Sequence, residues 1–197
     1  MIDGARSSLQ IGGRQAKSRH PCWHRWPRRG NMCAMDRDEL IESVLGAWRR
    51  HHDILMGLLD AVPRGGMAAL PSESRGRDVS RVFFHMDRVR RGWVHMHQTG
   101  KRPDLPRADD GKRPTKAQLR KALKASNKEV EAFLEEALTG VAKVRMFGKD
   151  PVRWMAYLIS HESHHRGQIA MALKQSGQRL DEEQAIGELW GTWIRGA

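Results

Sequence analysis

Cysteine is nearly missing from this chain: 197 residues hold two, Cys22 and Cys33, both close to the N-terminus. So few, outside the apparent core, exclude a disulfide framework and make a reducing compartment, hence the cytoplasm, the expectation. No apolar run approaches the roughly 20 residues that a bilayer-crossing helix needs, and the N-terminal stretch lacks the apolar run of a secretory signal. No internal repeat and no ladder of alternating strands can be read. Acidic residues are scarce at one end. Residues 1–34 contain only Asp3 against seven Arg or Lys, so this arm carries +6, half of the chain's net charge of +12. The other 28 basic and 22 acidic residues are spread out, more like a solvated surface than a binding stripe, which argues against a nucleic-acid-binding protein.

What is present suits one soluble domain, with 39% hydrophobic and 29% charged residues. The basic arm, 1–34, has little apolar periodicity and is expected to be disordered. It could mimic an organelle transit peptide, but the reading preferred here is an extension, with translation starting at Met32 or Met35. The domain is therefore placed at 35–197. Asp36 and Glu39 form a capping-box pattern ahead of Ile41, Leu45, Trp48, His52, Leu55 and Leu59, which recur at helical spacing up to Pro63. A second helix is expected over about 78–98, with Val79, Val82, Met86, Val89, Trp93 and Met96 on its buried side and His85 at the edge of that stripe. A long Pro, Gly and Lys/Arg-rich loop follows. Thr115 and Gln118 repeat the capping box before a third helix. Asp150-Pro151 opens a fourth, and Gly177 closes it. Two tryptophans, Trp190 and Trp193, are expected to cover the bundle end. Four amphipathic helices without strands predict an all-α four-helix bundle, a fold in which metal sites are built from facing helices.

The fourth helix carries the chemistry. His161 and His165 are four residues apart, so one helical turn sets both imidazoles on one face, where they can share a metal ion. They continue the line of Trp154, Leu158, Gln168 and Ala172, so both are expected to point into the core, where imidazole needs a partner. His161-Glu162-Ser163-His164-His165 also fits H-E-x-x-H, with Glu162 as the would-be base of a zinc protease. No histidine follows His165, Gly167 stands one residue too early for the extended motif, and there is no strand to hold a peptide, so protease is the weaker reading. Residue types alone leave the third ligand open among His52, His85, His95 and His97; the last two lie near a helix end, where exposure is expected.

Three features together have a family likeness: Phe83-Phe84-His85-Met86, the run Tyr157 to Gln168 with its H-x-x-x-H-R-G-Q signature, and the Trp190/Trp193 ending. On these the chain resembles, over residues about 36–193, the DinB/YfiT-like superfamily of metal-dependent bundles. The resemblance implies a divalent ion, zinc or nickel, on His85, His161 and His165, and thiol-dependent S-transferase chemistry with a low-molecular-weight thiol such as mycothiol or bacillithiol. Three neutral imidazoles leave a coordination position open, which suits a transferase or a hydrolase acting on a small molecule. The alternative is a non-catalytic, stress-associated metal-binding bundle. Glu162 is the candidate catalytic base, with an orienting contact to a histidine and an interhelical salt bridge as competing roles. His52 and Gln168 are expected to line the pocket, Gln168 by contacting a ligand or bonding to another helix, and Arg166 is expected to pair with an acid on a neighbouring helix. No membrane partner is expected, and a homodimer stays open.

Overall fold

The computed structural model describes residues 35–71, 76–107, 113–181 and 183–195; the basic arm, 1–34, with both cysteines, lies outside the described residues. Four long helices dominate: α1 (Arg37–Ala61), α2 (Val79–Thr99), α3 (Lys116–Thr139) and α4 (Pro151–Gln175). Among the described residues there is no strand. Each helix starts where a side-chain oxygen can satisfy free backbone N–H groups. Asp36 and Thr115 form complete capping boxes with Glu39 and Gln118. Asp78 accepts from the Arg81 N–H at 2.9 Å, and Asp150 accepts from Val152 and Arg153 just ahead of Pro151. Gly100 and Gly140, at φ 75° and 88°, end α2 and α3 in the left-handed conformation that only glycine adopts at no steric cost.

The core comes in two apolar halves. One joins Leu55 and Leu59 of α1, Val79, Phe83 and Met86 of α2, Leu119 and Leu123 of α3, and Ile169 and Leu173 of α4. The other joins Leu45 and Trp48, Val94, Val130, Phe133 and Leu134, and Trp154 and Leu158. The late turns of α1 and α4 thus meet the early turns of α2 and α3, so α2 and α3 run parallel to each other and antiparallel to α1 and α4. Ser80, at the start of α2, donates to the Pro114 carbonyl beside the start of α3 at 2.6 Å. The end of α2 and the start of α3 therefore lie about 32 Å apart, the length of α2, a distance that 16 residues of extended chain span with ease. That is why this loop is long: it is the crossover connection of the bundle. Its described part passes α2 where Arg88 donates to the Leu105 carbonyl at 3.4 Å.

Between the two apolar halves lies a buried polar layer. Arg90 and Glu162 are completely buried and form a two-pronged ion pair, Nε to Oε1 at 2.6 Å and Nη2 to Oε2 at 2.7 Å. His51 adds a hydrogen bond to Glu162 Oε2 at 2.8 Å, and His52 accepts at Nδ1 from Arg90 at 3.2 Å. The Arg90 guanidinium also lies 4.9 Å from the centre of the Trp48 ring. The buried stripe of α2 therefore runs through Phe83, Met86, Arg90, Val94 and His97, while Val89, Trp93 and Met96 are only half-buried. This corrects the stripe expected from apolar residues alone.

The C-terminal segment is a π-helical stretch, Glu183–Trp190, followed by α5 (Gly191–Arg195). Leu189 packs on the first core half, and Leu180, Leu189, Trp190 and Trp193 face α1 and α4 across a cavity of about 280 Å³. Trp190 remains 62% exposed, so it does not seal the bundle end as the sequence suggested.

Candidate metal centre

α2 and α4 pack side by side, and α4 presents two different faces to the bundle. Glu162 turns inward, whereas His161 and His165 sit at the rim of the apolar stripe, half-buried along the α2/α4 cleft. The expectation that both histidines point into the core is corrected on this point: the inward position in this turn belongs to the carboxylate. Across the cleft stands His85 of α2. One ring nitrogen from each of His85, His161 and His165 lies within 4.8 Å of the others. The Nε2 atoms of His161 and His165 are 3.1 Å apart. Two tetrahedral ligands at the usual zinc–nitrogen distance would be separated by roughly 3.3 Å, so this pair is spaced to share an ion.

The protonation states also suit a cation. Burial is the main cause that holds His85 and His161 down at about 4, and it lowers His165 as well. His165 and His161 oppose the protonation of His85, His165 and His164 that of His161, and His164 that of His165, while Arg77 works in the same direction on His85 and His165. All three are neutral at pH 7, each with a lone pair to offer. Gln168 sets one of them: its Oε1 accepts from His165 Nδ1 at 2.7 Å, which leaves the Nε2 lone pair facing His161. The Gln168 amide meanwhile donates to His164 Nε2 at 3.0 Å. These bonds run within α4, so the interhelical role expected of Gln168 is corrected. His161 stacks on Tyr157, ring centres 5.8 Å apart, and its buried Nδ1 has no hydrogen-bond partner among the described residues.

A cavity of about 420 Å³ opens beside the cluster. Its lining mixes His85, His165, Gln168 and Arg77 with Pro71, Val79, Val82, Ile169 and Ala172. Its size is that of a small-molecule site. Of the two residues expected to line the pocket, Gln168 does so; His52 instead is buried in the polar layer against Arg90.

Glu162 is not placed to act as a base. Arg90 and His51 engage both of its oxygens in the core. Burial alone would raise its pKa, but Arg90 and the His51 hydrogen bond outweigh that and hold it at about 2. Of the roles considered for Glu162, the geometry selects the interhelical salt bridge. Among the described residues, Arg166 takes no acid on a neighbouring helix as its hydrogen-bond partner; its Nη2 donates to Ser163, one turn away, at 2.8 Å. His97 is buried rather than exposed, stacked on Phe133 and edge-on to Trp154, and its Nδ1 accepts from the Arg145 N–H at 3.3 Å. His51 and Arg90 were missed by the sequence reading. Arg77 was missed too, although its position one residue before the Asp78 cap places it at the mouth of the α2/α4 cleft.

The DinB family's sequence profile matches residues 32–184, which takes in all four helices and every residue of the cluster. Compared with curated proteins and with solved structures, the chain finds no match.

Proposed function

This chain belongs to the DinB family, and on that premise we propose that it is a divalent-metal-dependent enzyme of the S-transferase or hydrolase type acting on a small molecule. The observation that carries this reading is the convergence of His85, His161 and His165 from two helices, with His85 and His165 lining a small-molecule-sized cavity. A three-nitrogen set leaves coordination open, unlike the four-ligand sets of structural sites. Zinc or nickel fits the all-imidazole donor set. The bound ion would supply Lewis acidity at the position the imidazoles leave free.

The chain's own residues do the rest. His85, His161 and His165 provide neutral nitrogen donors, so the charge of the ion is left for the substrate to balance. Gln168 keeps the His165 ring in the ligating tautomer. Val79, Val82, Ile169 and Ala172 present an apolar wall that limits water beside the reacting groups. Glu162 and Arg90 fix α4 against α2, and with it the meeting of the three imidazoles. In S-transfer, a low-molecular-weight thiol would lose its proton to solvent, and its sulfur would displace a leaving group from the acceptor carbon. In hydrolysis, water would take the thiol's place.

Elemental analysis of the purified full chain, followed by thiol consumption with a panel of electrophiles and release of acid from a panel of esters and amides, tests the proposal. One equivalent of zinc or nickel and turnover that disappears on chelation are the expected results. Bound metal without turnover in either panel would favour a metal-binding bundle instead.

A further inference from the structure

His161 and His165 are held in different ways. The His165 ring is fixed through its Nδ1, which donates to Gln168 Oε1 at 2.7 Å. Metal-ligating histidines are usually oriented like this, by a hydrogen bond from the ring nitrogen that does not face the ion. The buried Nδ1 of His161 has no such partner among the described residues. His85 and His165 meet its ring at steep angles, 56° and 79°. The ring that lies nearly parallel to it is Tyr157, one turn earlier on α4, with centres 5.8 Å and planes 24° apart.

Tyr157 is held in its turn. Trp93 of α2 meets it edge-on at 5.8 Å, and Phe147, just ahead of α4, packs tilted against it at 4.9 Å. Phe147 reaches that place from an unusual turn. Phe147, Gly148 and Lys149 follow one another at φ 54°, 67° and 64°. Glycine takes this left-handed conformation freely; phenylalanine and lysine do so at a cost. Such a backbone persists where the contacts around it over-determine it. Here those contacts are the Phe147 ring against Tyr157, Trp93 and His97.

We propose that Tyr157 is a positioning residue of the metal centre: its ring sets the plane of the His161 imidazole where a hydrogen bond would usually do so, and Phe147 holds Tyr157 in place. The inference rests on the metal-dependent reading above and extends it to residues outside the histidine cluster. The face of the ring carries the effect, not the hydroxyl, so phenylalanine should substitute for Tyr157 and an aliphatic side chain should not. Tyr157 is 37% exposed, so an apolar replacement disturbs little of the core.

Cobalt(II) titration of the full chain against a competing chelator, with the visible spectrum of the bound ion recorded, tests this on folded variants. Tyr157→Phe should keep the wild-type affinity and spectrum. Tyr157→Leu should bind cobalt about tenfold more weakly, with a changed spectrum, because the His161 ring is no longer held in the ligating plane. Phe147→Leu should move both readouts in the same direction by less. Tyr157→Met takes the place of the leucine variant if that one does not fold. In the metal-free proteins, the His161 ring-proton resonances should agree between wild type and Tyr157→Phe and be displaced in Tyr157→Leu. A folded Tyr157→Leu with wild-type affinity, spectrum and ring resonances would overturn the proposal, as would a Tyr157→Phe variant as weak as Tyr157→Leu. Failure of the wild-type chain to take up cobalt would instead count against the metal-dependent reading, while the metal-free resonances still decide whether Tyr157 sets the His161 ring.

Discussion

His161 and Glu162 are neighbours in sequence and belong to two opposite kinds of polar site. Glu162 sits in a closed layer where both carboxylate oxygens are bonded, to Arg90 and His51, in the middle of the bundle. His161 sits in an open one, with its Nε2 aimed at His165, which lines a cavity, and its Nδ1 without a partner among the described residues. The closed layer joins α1, α2 and α4 and serves structure. The open cluster uses α2 and α4 one turn away and is left under-satisfied, as a ligand site must be. A single helix separates the two roles by turning adjacent residues to different faces.

The sharpest way to break this comparison is to damage each site and read stability. Glu162→Ala strands a buried guanidinium and should destabilise the fold by about 3–5 kcal/mol. His161→Ala, at a half-buried rim, should cost far less. Urea unfolding of both variants without metal checks this, and equal losses would remove the distinction. His52→Ala, which takes an acceptor from Arg90, should cost about 1–3 kcal/mol and keep the metal, whereas His85→Ala should lose metal and little stability.

Acid separates the two sites by pH. His85 and His161 are held at about 4 in the fold against an ordinary 6.5, so they take up protons more readily unfolded. Their contribution is present above about 6.5 and is lost as pH falls toward about 4. His52, at about 3, and His97, at about 4, are lowered chiefly by burial and add to the same loss. The Glu162 contribution is present above about 4.5 and is lost only as pH falls through about 2. Stability measured against pH should therefore decline in two stages. His161→Ala should weaken the upper stage and Glu162→Gln the lower; a single transition unaffected by either would contradict this assignment. The smallest effect is expected from Gln168→Ala, which frees the His165 ring: metal affinity should drop about 10–100-fold with unfolding nearly unchanged. Competition with a chelator measures it.

The open site was far more legible in the sequence than the closed one. The i, i+4 spacing of His161 and His165 is local, and local spacing survives folding. The caps at Asp36, Thr115 and Asp150 were equally readable, because each involves residues within one turn. The Arg90–Glu162 pair spans 72 residues, and neither partner announces itself on an apolar stripe. A rule that buries apolar residues first puts Val89 and Trp93 inward and Arg90 outward; the interhelical ion pair reverses that. His97 was misjudged for the same reason, since three of the four aromatic rings around it come from α3, α4 and the Phe147 turn, and only Trp93 from its own helix. The parallel course of α2 and α3 was implicit only in the length of the loop between them.

The central claim, one divalent ion on His85, His161 and His165, is tested most directly by elemental analysis of the purified wild-type chain beside the His161→Ala/His165→Ala double variant, with folding of both checked by circular dichroism. The account predicts about one equivalent of zinc or nickel in the wild type and almost none in the folded double variant, because one remaining imidazole chelates nothing. Full metal content in the double variant would contradict it.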